Sequence, residues 1–568
     1  MSMLQKSLFT GSPRFNAAGQ AQSNPLSIEG RWLQLIASNP ISQLARVEGP
    51  FALGLRLEDG TVWLAVDRFG METLCYRVIE GQLQFSTRAD ELHDATASNV
   101  NDNIDPQAIF DYLYFHCIPS PRTIFKGVYR LPPGHYAKFE NSQLTVAPYW
   151  QPEFTEHRSS ASFGVLKDEF RGLLRTAVAH NLDGSVPACF LSGGTDSSTV
   201  AGMIREASGQ TAHSYSIGFD AEGYDEMAYA RLAAKHFETQ HHEYYVTPDD
   251  LVRSIADVAT FYDQPFGNSS ALPAYYCAKV ARENGVTRIL AGDGGDELFG
   301  GNSRYAKQRI FGWYQRLPAS LRRGVMEPFF ESSLTNQLPF FKKGSSYIEQ
   351  AKVGMPARLQ MYNLLIRLGV NDVLTPEFLA QVDVNSPAKH QHDVWNQSRQ
   401  TSELNRTLAF DWRYTLGESD LPKVRTTCAM AGLDVGFPML DDALLAFSMK
   451  LPDTYKLKGV KLRWFFKEAL RGFLPDEILV KKKQGFGLPF GVWLTRHTGL
   501  MNLAMSSLSS LSERNIIEPK FIKSLFEKRL AEHPSYYGEM VWVLMMLEFW
   551  LSEYATKIRK PFSEIIIL

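Results

Sequence analysis

The stretch Ser192-Gly193-Gly194-Thr195-Asp196-Ser197-Ser198 constrains this chain more than any other. It follows the short apolar run Val186–Leu191 and leads into a helical stretch from Thr199. Paired glycines between a strand and a helix allow a sharp backbone turn and a close approach to a ligand without a Cβ clash. Further apolar runs at His213–Gly218 and Thr287–Ala291 alternate with helical spacing, such as that over Phe163–Asn181. Apolar strands separated by helices predict a parallel, doubly wound sheet. The loop is also a candidate site. Its N–H groups and the following helix N-terminus point at an anion, and the serines add hydroxyl donors. Asp196 can reach a metal carried by that anion. Pyrophosphate fits this description. No G-x-x-x-x-G-K-[ST] occurs, so the Walker phosphate loop is excluded.

A second glycine-rich segment, Gly292-Asp293-Gly294-Gly295-Asp296-Glu297-Leu298-Phe299-Gly300-Gly301, follows the run ending at Ala291. Glu297 stands where a dinucleotide fingerprint needs its third glycine, so that reading is weak. Acids beside flexible glycines at the carboxyl end of a strand suit Mg²⁺ and a polar substrate. A third segment, Lys481-Lys482-Lys483-Gln484-Gly485-Phe486-Gly487, offers a lysine to stabilise charge on a phosphoryl group. Taken alone it is an ordinary basic run.

The amino-terminal part reads differently. Residues 1–25 are polar and predict a loose leader. Phe51–Leu57 and Thr61–Val66 flank Glu58-Asp59-Gly60, and Leu74–Ile79 and Gln82–Phe85 flank Glu80-Gly81. These are hairpin patterns, and they make residues 26–150 a β-rich domain. A larger region follows over 160–568, mostly helical from Tyr305, with a loop expected at Pro339–Tyr347. Lys plus Arg is 59 and Asp plus Glu is 61, a balance that argues against nucleic-acid binding as the main function. The five cysteines form no C-x-x-C and no disulfide framework, which fits a reduced, cytoplasmic setting. The N-terminus lacks a secretory apolar core. Val541–Leu551 is too short to span a bilayer and carries Glu548, so a buried helix is expected. The apolar tail Ile565–Leu568 is expected to pack on the body.

Together these segments resemble the asparagine synthetase-like amide ligases. Asp67-Arg68-Phe69-Gly70 with Leu74-Cys75-Tyr76, Leu131-Pro132-Pro133-Gly134, Asp263-Gln264-Pro265, Phe437–Asp441 and the loops above match the family's motifs in the family's order. The resemblance implies an amidotransferase-like (Ntn-type) β-rich domain and then a doubly wound ATP-pyrophosphatase domain with a helical C-terminal part. It implies ATP and Mg²⁺ as cofactors, and a small-molecule or peptide carboxylate and an amine or ammonia as substrates. No nucleic acid and no membrane span are implied, and a homodimer is compatible. By the same resemblance Leu191, Ser192, Gly193, Gly194, Asp196, Ser197, Ser198, Ile217 and Gly292 bind ATP, and Asp196 and Asp296 hold the metal. Asp293, where typical members carry Glu, handles the incoming amine, and Lys483 stabilises the charged transition state.

Two departures stand out. The family's glutaminase nucleophile is a cysteine directly after the initiator Met; here that residue is Ser2, and the first cysteine is Cys75. An alkoxide is far harder to form than a thiolate, and a strand cysteine is usually inert. The amino-terminal domain is therefore expected to lack glutaminase activity. In Lys423–Asp441, Arg425 replaces Asp, Thr426 replaces Arg, Asp434 replaces Glu and Gly436 replaces Arg. Either a carboxylate clamp has changed, which puts aspartate in question as substrate, or these positions only make internal ion pairs. The expected activity is an AMP-forming amide ligase. Alternatives are a lactam or lasso-type macrolactam synthetase and a catalytically silent ATP-binding scaffold. Residues 306–405 are expected to hold the specificity surface.

Overall fold

The computed structural model describes residues 4–15, 27–93, 100–155, 161–331, 339–398, 402–482, 485 and 487–559. The amino-terminal half is built on a five-stranded antiparallel sheet. In chain order its strands are β1 (Leu4–Gly11), β2 (Phe51–Leu57), β3 (Val62–Val66), β7 (His135–Glu140) and β8 (Gln143–Pro148), which lie side by side in that sequence. A smaller sheet contains β4 (Cys75–Ile79), β5 (Gln82–Ser86) and β6 (Tyr129–Arg130), in the order β5-β4-β6. Both expected hairpins form, with Leu55 opposite Trp63 and Tyr76 opposite Phe85.

Alternation along the strands feeds two cores. Leu53, Leu55, Leu57, Trp63 and Ala65 pack with Trp32 and Leu35 of helix α1 (Ile28–Ser38). Ala52, Val62, Leu64 and Val66 pack with Tyr76 and Leu83 of the smaller sheet. The main sheet is thus covered on both faces, which is why β2 and β3 read as nearly continuous apolar runs. The expectation of a loose leader is corrected. Leu4–Gly11 pairs along β2 from Leu57 to Phe51, because β2 exposes an edge that needs backbone partners.

Helix α2 (Pro106–Phe115) packs across the two halves. Ile109, Phe110 and Leu113 share one apolar core with Val541–Leu547 near the other end of the chain. The Tyr112 hydroxyl donates to the Val543 carbonyl at 2.7 Å. The carboxyl-terminal half holds a five-stranded parallel sheet. Its strands are β9 (Ala188–Phe190), β10 (His213–Phe219), β11 (Gln240–Val246), β12 (Arg288–Leu290) and β13 (Asp434–Gly436), ordered β11-β10-β9-β12-β13. Helices α3 (Phe163–Asn181), α4 (Thr195–Ser208), α5 (Met227–Phe237) and α6 (Ala271–Glu283) connect and cover it.

The sequence patterns gave no warning of β11 or β13. The first is polar (Q-H-H-E-Y-Y-V) and the second is only three residues long. The loop expected at Pro339–Tyr347 is also corrected: these residues lie in helix α8 (Pro339–Lys352), after the short α7 (Gly295–Phe299). A π-helix at Trp412–Asp420 leads into α9 (Leu421–Met430), and α10 (Trp464–Ala469) precedes the long α11 (Pro534–Arg559). The apolar run Val541–Leu551 lies inside α11, with Val541–Met545 fully buried. Glu548 is covered by a two-pronged pair to Arg514, at 2.6 and 2.9 Å. No helix among the described residues is long and apolar enough to cross a membrane. The tail Ile565–Leu568 lies outside the described residues.

Candidate active site

The strand order reverses between β9 and β12. In an open parallel sheet the crevice beyond the carboxyl ends of the strands at such a reversal is where ligands bind. Ser192–Ser197 leaves β9 there and Gly292–Asp296 leaves β12 there, so topology alone brings together two motifs about a hundred residues apart.

The first loop ends at the N-terminus of α4, whose N-cap is Gly194. The fourteen-residue helix therefore presents its free N–H groups without a side-chain cap. Gly193 has φ +67°, and a Cβ on it would lie 2.4 Å from the Tyr229 carbonyl carbon. Within the loop the Ser192 and Ser197 hydroxyls lie 3.0 Å apart, and Ser197 Oγ accepts from the Ser192 N–H at 3.2 Å. Ser197 and Ser198 are both buried, in the first turn of α4. Leu191 is buried and its N–H donates to the Tyr215 carbonyl, while Ile217 is half-buried on β10.

The second loop lies against the first. A Cβ on Gly292 would sit 2.8 Å from the Ser197 nitrogen, and one on Gly295 would sit 2.0 Å from Asp196 Oδ1. The glycines here make room for the acids. Asp196 and Asp296 meet at a third element: Arg463, just before α10, donates from Nη1 to Asp196 Oδ2 at 2.6 Å and to Asp296 Oδ1 at 2.9 Å. Asp293 faces a different cation. Lys423 of α9 lies 4.0 Å from Asp293 Oδ1 and 2.9 Å from Asp420 Oδ1. Burial raises the Asp293 carboxyl to about 6, with Lys423 pulling it the other way. The Trp412 indole N–H donates to the Glu297 carbonyl at 3.0 Å and ties the π-helix to the acid loop.

The residues present fit Mg²⁺. Among the described residues no three His, Cys, Asp or Glu side chains converge into a cage. Mg²⁺ is commonly held by one or two carboxylates together with substrate phosphates and water, and Asp196 and Asp296 supply that pair. Lys483 lies outside the described residues. Its neighbour Lys481 pairs with Glu226 at 2.8 Å, 3.5 Å from the Gly193 carbonyl, so the basic segment begins beside the anion loop.

Arg463 and Lys423 escaped the sequence reading. Arg463 lies in K-L-R-W-F-F-K, which looks like any amphipathic helix start, and Lys423 opens a segment compared for its other positions. Arg425, by contrast, does not face this crevice. It donates to the Met71 carbonyl at 3.1 Å and to Thr73 Oγ1 at 3.0 Å, joining the two halves. Gly436 is a packing position, where a Cβ would meet Asn181 Oδ1 at 2.6 Å. Neither position makes the internal ion pair that was one of the two expectations for the Lys423–Asp441 changes: Arg425 bonds neutral groups of the other half, and Gly436 fills a tight contact.

A parallel α/β sheet with a glycine-rich loop at a helix N-terminus and an acid loop at its switch point has the architecture of a nucleotide-binding enzyme. The comparisons narrow this class. Residues 169–552 match the asparagine synthase family and residues 33–150 a glutamine amidotransferase domain. The chain belongs to the asparagine synthase family, whose members are ATP-dependent amide ligases. Glutamine-hydrolyzing asparagine synthetase 1 of Bacillus subtilis is 24% identical over 513 residues, covering 89% of this chain and 78% of that one. A putative glutamine-hydrolyzing asparagine synthetase of Mycobacterium tuberculosis is 24% identical over 524 residues, covering 89% and 77%. A putative asparagine synthetase 2 of Methanocaldococcus jannaschii is 33% identical over 265 residues, covering 46% and 51%.

Proposed function

We infer that this enzyme adenylates a carboxylate and passes the acyl group to an amine without a glutaminase of its own. The observation that carries the reading is the meeting of Asp196, Asp293 and Asp296 with Lys423 and Arg463 at the sheet's switch point. A substrate carboxylate oxygen attacks the α-phosphorus of ATP, the α–β anhydride bond breaks, and pyrophosphate leaves into the Ser192–Ser197 loop. The amine nitrogen then attacks the acyl carbon, AMP departs, and the proton lost by nitrogen goes to Asp293. A carboxyl near 6 is ionised at neutral pH yet basic enough to take that proton. Asp196 and Asp296 would hold Mg²⁺, which when bound neutralises polyphosphate charge.

The loss of glutaminase activity is supported by the cysteines. All five are buried, and burial pushes their thiols up, Cys117 and Cys189 to about 12. Cys75, on β4, is pushed higher still. A reactive cysteine needs a stabilised thiolate, and none of these has one. Ser2 itself lies outside the described residues. The test is ATP–pyrophosphate exchange with Mg²⁺ across a panel of carboxylates, aspartate and peptides included, followed by amide formation from ammonia and from glutamine. Exchange dependent on one carboxylate, with ammonia but not glutamine as donor, is the expected result. Tight ATP binding without exchange on any carboxylate would instead favour a silent scaffold.

A further inference from the structure

The π-helix Trp412–Asp420 is held from two sides. On the ligase side it reaches the site. Trp412 bonds the Glu297 carbonyl of the acid loop, and at the far end Asp420 pairs with Lys423, the cation that faces Asp293. On the other side it meets the amino-terminal half. The Glu418 carboxylate is 2% exposed. Its Oε1 accepts the Ser120 N–H at 3.1 Å and the Ser120 hydroxyl at 2.8 Å, and its Oε2 accepts from Arg130 of β6. Arg413, in the same π-helix, pairs with Glu418 and donates from Nη2 to the Ser120 carbonyl and to Ser120 Oγ, the latter at 2.8 Å. Arg130 is fixed in turn by the Ile118 carbonyl at 2.8 Å. The Phe69 ring stands edge-on to Trp412, with centroids 5.9 Å apart. A Cβ on Gly417 would lie 3.1 Å from the Phe69 carbonyl oxygen and 3.4 Å from Pro133 Cγ.

This join differs from a surface contact. A buried carboxylate is tolerated only when its oxygens are paired, and here the amino-terminal half supplies three of the donors. The π-helix runs for nine residues. That is longer than the single turn in which such segments mostly occur, and they are frequent at functional sites. Glu418 lies two residues before Asp420 and five before Lys423, so the network and the site share one short piece of chain. Lys423 stands 4.0 Å from Asp293, and a misplacement of about 1 Å can cost on the order of 10²-fold in rate. The Ser192–Ser197 loop is built instead on β9 and α4.

We propose that the amino-terminal half braces the ligase: Ser120 and Arg130, acting through Glu418, position the π-helix and thereby set Lys423 against Asp293 for the amine step. This rests on the ligase reading and gives the amino-terminal half a task that needs no glutaminase. Ser120, Arg130 and Glu418 are positioning residues.

The test measures the two half-reactions separately in the full-length protein. They are ATP–pyrophosphate exchange with Mg²⁺ and amide formation from ammonium chloride, both with the carboxylate of the panel above that gives the fastest wild-type exchange. Arg130→Met is expected to lower kcat for amide formation at least tenfold and to leave exchange within threefold of the wild type. Arg130→Lys is expected to recover at least half of the lost kcat. Hydrogen–deuterium exchange of the backbone amides over 412–423 should quicken at least tenfold in Arg130→Met, with those of α4 unchanged. A merely structural role would lower both half-reactions together, through the folded fraction. Equal loss in both, loss in neither, or unchanged protection over 412–423 overturns the proposal. If Arg130→Met does not fold by circular dichroism, Ser120→Ala, which removes one donor from Glu418, is read in its place, with a threefold split expected. The two readings fail separately: no wild-type exchange with any carboxylate rejects the ligase reading, whereas wild-type exchange without the split in the variants rejects only the brace.

Discussion

Asp67 in the amino-terminal half and Asp293 in the ligase half are both pushed by burial to about 6, yet they differ in what surrounds them. Asp67 is 1% exposed and accepts the backbone N–H groups of Phe69, Met71 and Glu72 at 2.8–3.0 Å. Its acceptor capacity is spent on shaping a turn. Asp293 is half-buried, faces Lys423 across 4.0 Å and follows β12 at the switch point of the sheet. A shifted carboxyl is thus evidence of function only where its lone pairs are still reachable. The same contrast runs through the two halves as wholes. In the ligase half, buried charge converges at the switch point of the sheet. In the amino-terminal half, charge serves to join the halves: Arg14 pairs with Asp441 at 2.8 Å, Arg68 with Asp442, and Arg130 with Glu418.

The contrast breaks most visibly at Asp196. Asp196→Asn should lower ATP–pyrophosphate exchange on the order of 10³-fold, as expected for removing a group aimed at developing charge, while the circular dichroism melt stays close to wild type. Undiminished exchange would remove the loop from the chemistry. Next is Asp293→Asn, expected to cost on the order of 10²-fold in amide formation. Because the Asp293 carboxyl is raised to about 6, the ionised base is present above that pH and is lost as pH falls through it. The wild-type-to-variant rate ratio should therefore shrink below pH about 6; using the ratio cancels the amine's own titration, and a flat ratio would deny Asp293 a role as base.

A glycine in each half sharpens the comparison further. A Cβ at position 295 would strike Asp196, and one at position 54 would strike the Phe85 ring at 2.4 Å. Gly295→Ala should weaken nucleotide binding with little change in melting temperature. Gly54→Ala should cost about 1–3 kcal/mol of stability and leave exchange per folded molecule intact. Isothermal titration calorimetry and chemical denaturation separate the two, and an exchange of these phenotypes would contradict the division of labour. The smallest effect is at the join. Arg425→Ala removes two hydrogen bonds to the amino-terminal half and should cost about 1–2 kcal/mol in urea unfolding, with the carboxylate preference unchanged. A changed preference would return Arg425 to the substrate site.

Local chemistry made part of this molecule legible before any coordinates. Asp-Gly and Glu-Gly turns between short apolar runs determined the two hairpins. The apolar run before Ser192 and the glycines after it determined a strand–turn–helix unit. The cysteine count and the absence of a long apolar stretch are likewise properties of the sequence itself. What the tertiary structure alone decided depends on distance across the fold. Leu4–Gly11 is a strand because β2 offers an edge, not because its own residues demand it. Asp434–Gly436 is a strand because β12 lies beside it and Asn181 leaves space only for a glycine at position 436. Lys423 and Arg463 became site residues for the same reason: a cation acquires its role from the carboxylates that folding brings to it, and those lie more than a hundred residues earlier in the chain.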